Sequence, residues 1–375
     1  MADKLSTVEL RRRNRNLVFR HFYQTEEPQT KQSIAAALSL SLPTVTQNLR
    51  ELLDAGVIEY VGMVDSTGGR RARTMALAAN ARFALGVELS LKHIRLIAIN
   101  LRAEEIAYKR IECVFSNDAA YRDELSRAIE HFLDEFALDR TCILGVGLTL
   151  PGIIDEERGI IEVAPILRIR KMSLSMLTER IAYPVYVEND ASAGGYAEWW
   201  NRSTLDSMAY LFLGKGVGGA LLVDGKPYAG VHHRSAEFGH MCVVPHGEKC
   251  SCGKHGCLEA YCSVARLTDD LGIQIEDFFA AIEDGNADYF VRWQRYLDDL
   301  ATGINTIHMI MDCDVVLGGM VTPFMEKYLP DLRARLQARN SFGEDGHYLH
   351  LGKCLSKANC IGVALHFIDR FVDQL

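Results

Sequence analysis

The first 55 residues carry hydrophobic positions at helical spacing in three short segments. Residues 11–23 form the first segment, Thr30 can cap the second, and Ser41 can cap the third. A tight turn at residues 40–42 separates the second from the third, which ends at Gly56. The predicted buried positions are Leu17, Val18, Phe22, Ile34, Ala35, Leu38, Val45, Leu49, Leu52 and Leu53. Two short helices joined by a tight turn are typical of a helix-turn-helix.

Two extended segments follow the predicted helices, at residues 57–64 and 73–77. The turn between them contains two adjacent glycines followed by Arg70 and Arg71. This order of elements is that of a winged helix-turn-helix, so residues 1–80 are predicted to bind double-stranded DNA. Glycines let the backbone approach a phosphate, and the two arginines are predicted to reach phosphates or a minor groove.

The third helix is predicted to enter the major groove of DNA. Short polar side chains on its outer face can donate and accept hydrogen bonds at base edges. With the two arginines of the wing, the predicted DNA-contacting residues are Thr44, Thr46, Gln47, Asn48, Arg50, Arg70 and Arg71. A small helical module for protein contacts, with a solvated polar face, is the alternative.

From about residue 81 the pattern changes to apolar strands that alternate with helices. The predicted strands are 83–89, 94–101, 143–150, 184–187, 209–213, 219–223 and 315–317, and a helix is predicted at 121–136. The nearly continuous apolar run at 143–150 is typical of a strand buried on both faces. Strands alternating with helices predict α/β layers.

The length and composition fit a soluble protein of two or three domains. A chain of 375 residues exceeds what one hydrophobic core holds, and its 48% hydrophobic and 24% charged residues are ordinary for globular proteins. There is no apolar stretch of membrane-spanning length and no signal-peptide pattern, so we expect a cytoplasmic protein without a membrane partner. Residues 1–75 carry a net charge of +3 and the rest −11. This asymmetry favours the N-terminal domain, residues 1–80 (the head), as the part that contacts nucleic acid.

The ten cysteines fall into two groups of five. The isolated ones are predicted to be small core residues: Cys113, Cys142, Cys313, Cys354 and Cys360. In the other group, one imidazole and three thiolates can surround one ion: His240, Cys250, Cys252 and Cys257. Four such ligands describe a closed structural zinc site. Free core cysteines or a redox pair are the alternatives, and the intervening glycines argue against them.

Six motifs follow one another along the body of the chain: Leu150-Pro151-Gly152, Glu188-Asn189-Asp190-Ala191, Gly214-Lys215-Gly216-Val217-Gly218-Gly219, Glu237-Phe238-Gly239-His240, Cys250-Ser251-Cys252-Gly253-Lys254-His255-Gly256-Cys257-Leu258-Glu259 and Leu317-Gly318-Gly319. This set resembles the ROK family (repressors, open reading frames, kinases) over about residues 83–375. With the head, the chain is similar to the branch of N-acetylglucosamine and xylose repressors.

The resemblance implies an α/β fold in which an actin-like, sugar-kinase-like pair of lobes follows the winged helix-turn-helix. The first lobe is predicted at residues 81–190, completed by a C-terminal helix at about 357–375. The second lobe, with the zinc motif, is predicted at 191–356. The same four zinc ligands are implied, and the metal is expected to fix the loop that presents nearby sugar ligands.

The resemblance also implies a sugar cleft between the lobes. Its predicted ligands are Asn189, Asp190, Glu237, His240 and Glu259. In kinases of the family the aspartate at the position of Asp190 is the general base, and here it is predicted to be vestigial; capping of the helix 191–200 is a compatible alternative. Ile166 replaces the asparagine usual in the kinases, which leaves the sugar open. Arg168, Arg170 and Lys171 form either a solvated turn or a contact with an anionic sugar such as a sugar phosphate.

The ATP site of the kinases is not preserved. Ser90, Leu91 and Lys92 stand where the family has Gly-Gly-Thr, Glu88 replaces an aspartate, and Lys215 replaces a threonine. Glycine lets backbone amides approach phosphates. A sugar-responsive transcriptional repressor without catalytic residues is therefore predicted, as a homodimer or homotetramer because helix-turn-helix proteins read paired half-sites. The alternatives are an active sugar kinase, with the lysines holding phosphate, and a regulator whose main input is a phosphotransferase-system protein.

Overall fold

The structure, a computed structural model, describes residues 7–64, 71–202 and 205–375. Its helices are α1 (Thr7–Gln24), α2 (Lys31–Leu38), α3 (Leu42–Asp54), α4 (Ala119–Glu135), α5 (Leu174–Thr178), α6 (Asp190–Trp200), α7 (Glu259–Cys262), α8 (Ile275–Glu283), α9 (Ala287–Met311), α10 (Thr322–Met325), α11 (Leu329–Arg339) and α12 (Ala358–Gln374). Its strands are β1 (Ile58–Val64), β2 (Ala72–Leu77), β3 (Phe83–Leu89), β4 (His93–Asn100), β5 (Glu105–Glu112), β6 (Ile143–Leu150), β7 (Ile153–Asp155), β8 (Ile160–Ala164), β9 (Ile169–Ser173), β10 (Val185–Asn189), β11 (Met208–Leu213), β12 (Val217–Val223), β13 (Lys226–Pro227), β14 (Asp314–Gly319) and β15 (Leu349–Leu351).

The head forms as the hydrophobic pattern predicts. Thr30 caps α2 in a capping box, and the hydroxyl of Ser41 accepts a hydrogen bond from the backbone of Thr44 at the start of α3. These caps satisfy amide groups that the first turn of a helix leaves without partners. Strands β1 and β2 pair antiparallel behind α3. The predicted helix-turn-helix and the two strands of the wing are therefore present.

The first lobe is built on a five-stranded sheet in the order β10-β6-β3-β4-β5. Strands β3, β4 and β5 are antiparallel neighbours, whereas β6 and β10 run parallel to β3. Helix α12 lies so close to β3 that a Cβ atom on Gly86 would stand 1.9 Å from the carbonyl oxygen of Cys360. Only glycine at this position permits that contact, which joins the last helix of the chain to the first lobe.

The second lobe repeats the arrangement with the sheet β13-β12-β11-β14-β15. Its core packs α9 and its neighbouring helices against this sheet, with Trp293 fully buried. A smaller sheet, β7-β8-β9, extends the first lobe, and α6 connects the first lobe to the second. The α/β fold class with two lobes is confirmed. Among the described residues, no helix has both the length and the apolar character needed to span a membrane.

The C-terminal helix also contacts the head. The side-chain amide of Asn16 in α1 donates to the carbonyl oxygen of Val372 at 2.6 Å. The rings of Phe19 and Phe371 meet edge to face with centroids 6.3 Å apart. Helix α12 thus lies between the sheet of the first lobe and the first helix of the head.

Candidate functional site

A cavity of about 320 Å³ opens where β10 ends and α6 begins, facing β12 and the loop that follows β13. Three of the five predicted sugar ligands, Asn189, Asp190 and Glu237, line this cavity. The remaining two, His240 and Glu259, do not line it. The cavity therefore brings together the part of the predicted set that lies at the junction of the lobes.

Asn189 holds the junction through both ends of its amide. Its Oδ1 accepts from the backbone of Ser192 at 2.9 Å, and its Nδ2 donates to the carbonyl oxygen of Gly152 at 2.9 Å. Asn189 is thus the N-cap of α6, and Asp190 lies in the first turn, where its Oδ1 accepts from the backbone of Ala191 at 2.9 Å. The asparagine fixes the helix, which leaves Asp190 at the cavity wall.

Burial changes the acid–base behaviour of the cavity. Removal from water, and after it the negative charge of Glu88, raises the pKa of Asp190 to about 7. Removal from water likewise raises the pKa of Glu188 to about 7 and raises that of Glu237. Asp190 and Glu188 therefore titrate near neutral pH, so each can donate as well as accept a hydrogen bond with a ligand hydroxyl.

Three cavity residues outside the predicted set form a network around a tyrosine. The Tyr186 hydroxyl oxygen lies 2.7 Å from Oε2 of Glu188 and 2.8 Å from Oε1 of Glu156. A phenol has one proton to donate, so Tyr186 can donate to either carboxyl group and holds the two side chains on the same side of the cavity. Tyr186 and Glu188 alternate with the valines of β10, Val185 and Val187. That alternation was visible in the sequence and is the signal that would have found them.

The predicted metal ligands form a compact cluster. The ligand atoms of His240, Cys250, Cys252 and Cys257 all lie within 4.8 Å of one another. The Sγ atoms of Cys252 and Cys257 are 3.8 Å apart, as are Cys250 Sγ and His240 Nδ1. Tetrahedral zinc with Zn–S bonds of about 2.3 Å places its sulfur ligands about 3.8 Å from one another. The donor set and its spacing fit a four-coordinate metal ion.

Glu259 ties the metal loop to the glycine-rich turn between β11 and β12. Its Oε2 accepts from the backbone of Val217 at 3.1 Å, and its Oε1 lies 3.5 Å from Cys250 Sγ. His240 faces the same region, with Nε2 3.9 Å from Oε2 of Glu237. A metal bound to His240 through Nδ1 would leave Nε2 beside a cavity carboxylate, at the rim of the cavity.

Three of the residues that stand at the predicted phosphate-binding positions make contacts within the protein. Nη1 of Arg95 on β4 donates to Oε1 and Oε2 of Glu88 on β3 at 2.8 and 2.9 Å. The Ser90 hydroxyl donates to the carbonyl oxygen of His93 at 2.9 Å, which closes the β3–β4 turn. Lys215 pairs with Asp269. Glu88, Ser90 and Lys215 thus each bond to another residue of the protein.

In the head, the exposed side of α3 carries most of the predicted base-contacting residues. Thr46, Gln47 and Arg50 are exposed, and Thr44 is half-buried. Asn48 is 2% exposed and donates to the carbonyl oxygen of Thr44 at 2.8 Å, so its prediction as an outward DNA contact is wrong. The reason is helical geometry: it shares the i, i+3, i+4, i+7 stripe with Val45, Leu49 and Leu52.

Neighbouring side chains set the orientation of this surface. Arg11 of α1 donates through Nε to Oε1 of Glu51 at 3.0 Å, and with its amide oxygen turned toward Arg11, Gln47 accepts from Nη2 at 2.9 Å. In the wing, the Arg73 guanidinium lies 3.5 Å from the centroid of the Tyr60 ring. Arg71 is exposed just before β2, whereas Arg70 lies outside the described residues.

Comparison with known proteins gives matches to both parts of the chain. A family model described as "ROK family" matches residues 84–369, and one described as "Winged helix-turn-helix DNA-binding" matches residues 23–59. The "Xylose repressor" of Bacillus subtilis (strain 168) is 24% identical over 360 residues, 93% of each chain. The "DNA-binding transcriptional dual regulator NagC" of Escherichia coli (strain K12) is 26% identical over 243 residues, 64% of this chain and 60% of that protein.

Two solved structures show the same fold. A ROK family transcriptional regulator described as a homologue of the E. coli MLC protein has a TM-score of 0.79 at 22% identity, covering 98% of each chain. A ROK family glucokinase from Streptomyces griseus, in complex with glucose and AMPPNP, has a TM-score of 0.64 at 23% identity, covering 76% of this chain and 98% of that one. The regulator matches the head as well as the lobes, whereas the glucokinase matches the lobes.

Proposed function

Because this chain belongs to the ROK family, we propose that it is a transcriptional repressor whose binding to operator DNA is controlled by a sugar. One observation carries the proposal: the chain joins an exposed helix-turn-helix to a carboxylate-lined cavity, and α12 packs against the elements of both. The names of its relatives, a xylose repressor and NagC, support the same function.

The DNA-binding half of the proposal rests on the surface of α3 and on the wing. Thr44, Thr46, Gln47 and Arg50 face the major groove of the operator, while Arg70 and Arg71 contact phosphates. The exposed positions on α3 support the first group. The second remains a prediction from the sequence. Paired half-sites would require a dimer or a tetramer.

The sugar-binding half rests on the cavity. Asn189, Asp190 and Glu237 offer the amide and carboxyl groups that sugar hydroxyls need. His240 and Glu259 stay predicted ligands at the rim, for a ligand that reaches beyond the cavity wall. With Asp190 at a pKa of about 7, a base for phosphoryl transfer is present, which favours sugar kinase as the second candidate. The pair between Glu88 and Arg95 argues against it, because the acid at the position of the kinase aspartate is engaged by an arginine of the neighbouring strand.

We further propose that the Cys₃His cluster holds zinc. A closed set of one imidazole and three thiolates contributes folding energy and leaves no coordination position for catalysis. The metal would act by holding the loop residues in position: His240 stays next to Glu237, and Glu259 keeps its hydrogen bond to the backbone of Val217. The loop would hold one side of the sugar site in place.

Helix α12 offers a physical route from the cavity to the head. The ring of Tyr186, which lines the cavity, stacks on His366 of α12 with centroids 3.6 Å apart. Along the same helix, Val372 accepts from Asn16 and the ring of Phe371 contacts Phe19. A sugar that displaces Tyr186 would thereby change the position of α1. A phosphotransferase-system protein as the main input is the remaining alternative.

The test uses the full chain and an operator selected from a random DNA library. Fluorescence anisotropy at fixed salt should show specific binding, and one member of a sugar panel should change the affinity at least about 5-fold, the lower end of ordinary allosteric coupling. Arg50→Ala should weaken binding, whereas Arg127→Ala, at another exposed arginine, on α4, should not. Specific binding that survived removal of residues 1–80 would contradict the proposal.

The kinase candidate has its own assay. The protein is incubated with ATP, magnesium and the best-binding sugar, and phosphorylated product is measured. We expect no turnover near 1 per second, the lower end of ordinary kinase rates. Turnover at that rate that disappears in Asp190→Ala would favour the kinase over the repressor without enzymatic activity.

A further inference from the structure

The cavity has an unbalanced set of charges. Four carboxyl groups line it: Glu156, Glu188, Asp190 and Glu237. Among the described residues that line it, there is no lysine or arginine, and His233 is the one basic side chain. Its imidazole lies 3.7 Å from Oδ1 of Asp155, another carboxylate. A ligand in this cavity therefore meets acidic groups on several sides.

Several cations of this region lie outside the cavity lining. Arg234, between the lining residues His233 and Ser235, is exposed, and its charge lowers the pKa of Glu237 without offsetting the effect of burial. Arg95 is held by Glu88, and Arg158 donates to Oε1 of Glu162 at 2.8 Å. The three cations that the sequence offered to an anionic sugar are exposed on and before β9 and do not line the cavity: Arg168, Arg170 and Lys171. No arginine fork or lysine ammonium, the groups that normally bind a phosphate, is directed at this space from the described lining.

The N-terminus of α6, the other feature that attracts anions, is already occupied. A helix N-terminus binds a phosphate through its first backbone N–H groups. Here the backbone N–H of Ala191 donates to Oδ1 of Asp190 at 2.9 Å, and that of Ser192 donates to Oδ1 of Asn189 at 2.9 Å. The chain's own side chains, one of them a carboxylate, take the place that a phosphate would need.

From these three observations we infer that the cavity selects an uncharged monosaccharide and rejects its phosphorylated form. The inference rests on the proposed function, because it names the ligand class of that site. A volume of about 320 Å³ is at the small end of ligand pockets, which fits one sugar ring. Glu156 and Glu188 are the specificity residues, since their carboxyl groups repel an anion and, through Tyr186, offer polar contacts to hydroxyl groups.

The test is isothermal titration calorimetry on the full chain at pH 7.5 and one salt concentration. The probes are glucose, mannose and N-acetylglucosamine, each with its 6-phosphate, and xylose. We expect at least one uncharged sugar to bind. If that sugar is glucose, mannose or N-acetylglucosamine, its own 6-phosphate should bind at least 100-fold more weakly. If that sugar is xylose, each of the three 6-phosphates should bind at least 100-fold more weakly than xylose. A sugar 6-phosphate that binds as tightly as the best uncharged sugar overturns the inference but does not contradict the proposed repressor function. If no probe binds, and none changes DNA affinity, both this inference and the proposed control of DNA binding by a sugar are contradicted.

A pair of variants assigns the cause. Glu156→Gln combined with Glu188→Gln removes two acidic groups with little change of shape, and should reduce discrimination against the phosphate at least 10-fold. The control is Glu157→Gln, an exposed neighbour that does not line the cavity. Unchanged discrimination in the double variant, with DNA affinity as in the parent protein, overturns the assignment to these residues. If the double variant does not fold, Glu156→Gln alone allows the same comparison of sugar and sugar phosphate, because Glu156 is exposed and its replacement disturbs no buried packing.

Discussion

The contact between α12 and α1 makes a quantitative prediction about how the sugar acts. Phe371 is half-buried, and its ring meets that of Phe19 edge to face at 6.3 Å and 90°. Full burial makes Phe→Ala cost about 3–5 kcal/mol, and a half-buried ring should lose roughly half of that. Phe371→Ala should thus weaken the contact between α12 and the head by about 2 kcal/mol. Typical coupling free energies are about 1–3 kcal/mol, so the loss is large enough to remove most of the coupling.

The assay compares DNA affinity with and without the bound sugar, in the parent protein and in Phe371→Ala. We expect the effect of the sugar to shrink at least about 5-fold, while the sugar's own affinity at the cavity changes little. Phe136→Ala is the matched control, because Phe136 is a partly exposed phenylalanine that packs on Phe132, beyond the end of α4. A variant with a lowered Tm and an unchanged sugar effect would refute transmission through this contact.

Three further predictions follow from the DNA surface, the metal cluster and the cavity. Gln47→Ala should reduce discrimination between operator bases by about 1–3 kcal/mol; an equal loss of affinity for all DNA sequences would contradict this. Arg71→Ala should lower the slope of log affinity against log salt concentration by about 0.9 if Arg71 contacts one phosphate. Purified protein should contain about one zinc per chain by elemental analysis. Cys257→Ser should lose metal and stability together, while Cys242→Ser, outside the cluster, keeps both; metal-free parent protein would exclude the site. The raised pKa of Asp190, about 7, means that the folded state binds an extra proton between about pH 4 and 7, so stability falls as pH rises through that window. Asp190→Asn should therefore raise Tm more at pH 8 than at pH 5, and an equal gain at the two pH values would contradict the shift.

Much of the molecule was predictable because its signals are local. The caps at Thr30 and Ser41, the bounds of β3 and β6 and the metal ligands each depend on residues close together in the chain. The misplacement of Asn48 has a local cause too. A polar side chain was assigned to the outer face by type, although its position in the helical repeat puts it on the buried stripe.

The sequence by itself determined the order of elements, the exposed side of α3 and the donor set for a metal, because hydrophobic periodicity and capping act over a few residues. Only the tertiary structure decided the chemistry of the cavity. Glu156, Glu188 and Glu237 come from three separate segments, and their convergence on one cavity depends on how β10, α6 and the loop after β13 pack together. The pairing of Glu88 with Arg95 likewise follows from the register of β3 and β4. Burial and opposing charge act through space, so their effect on a carboxyl group cannot be obtained from its neighbours along the chain.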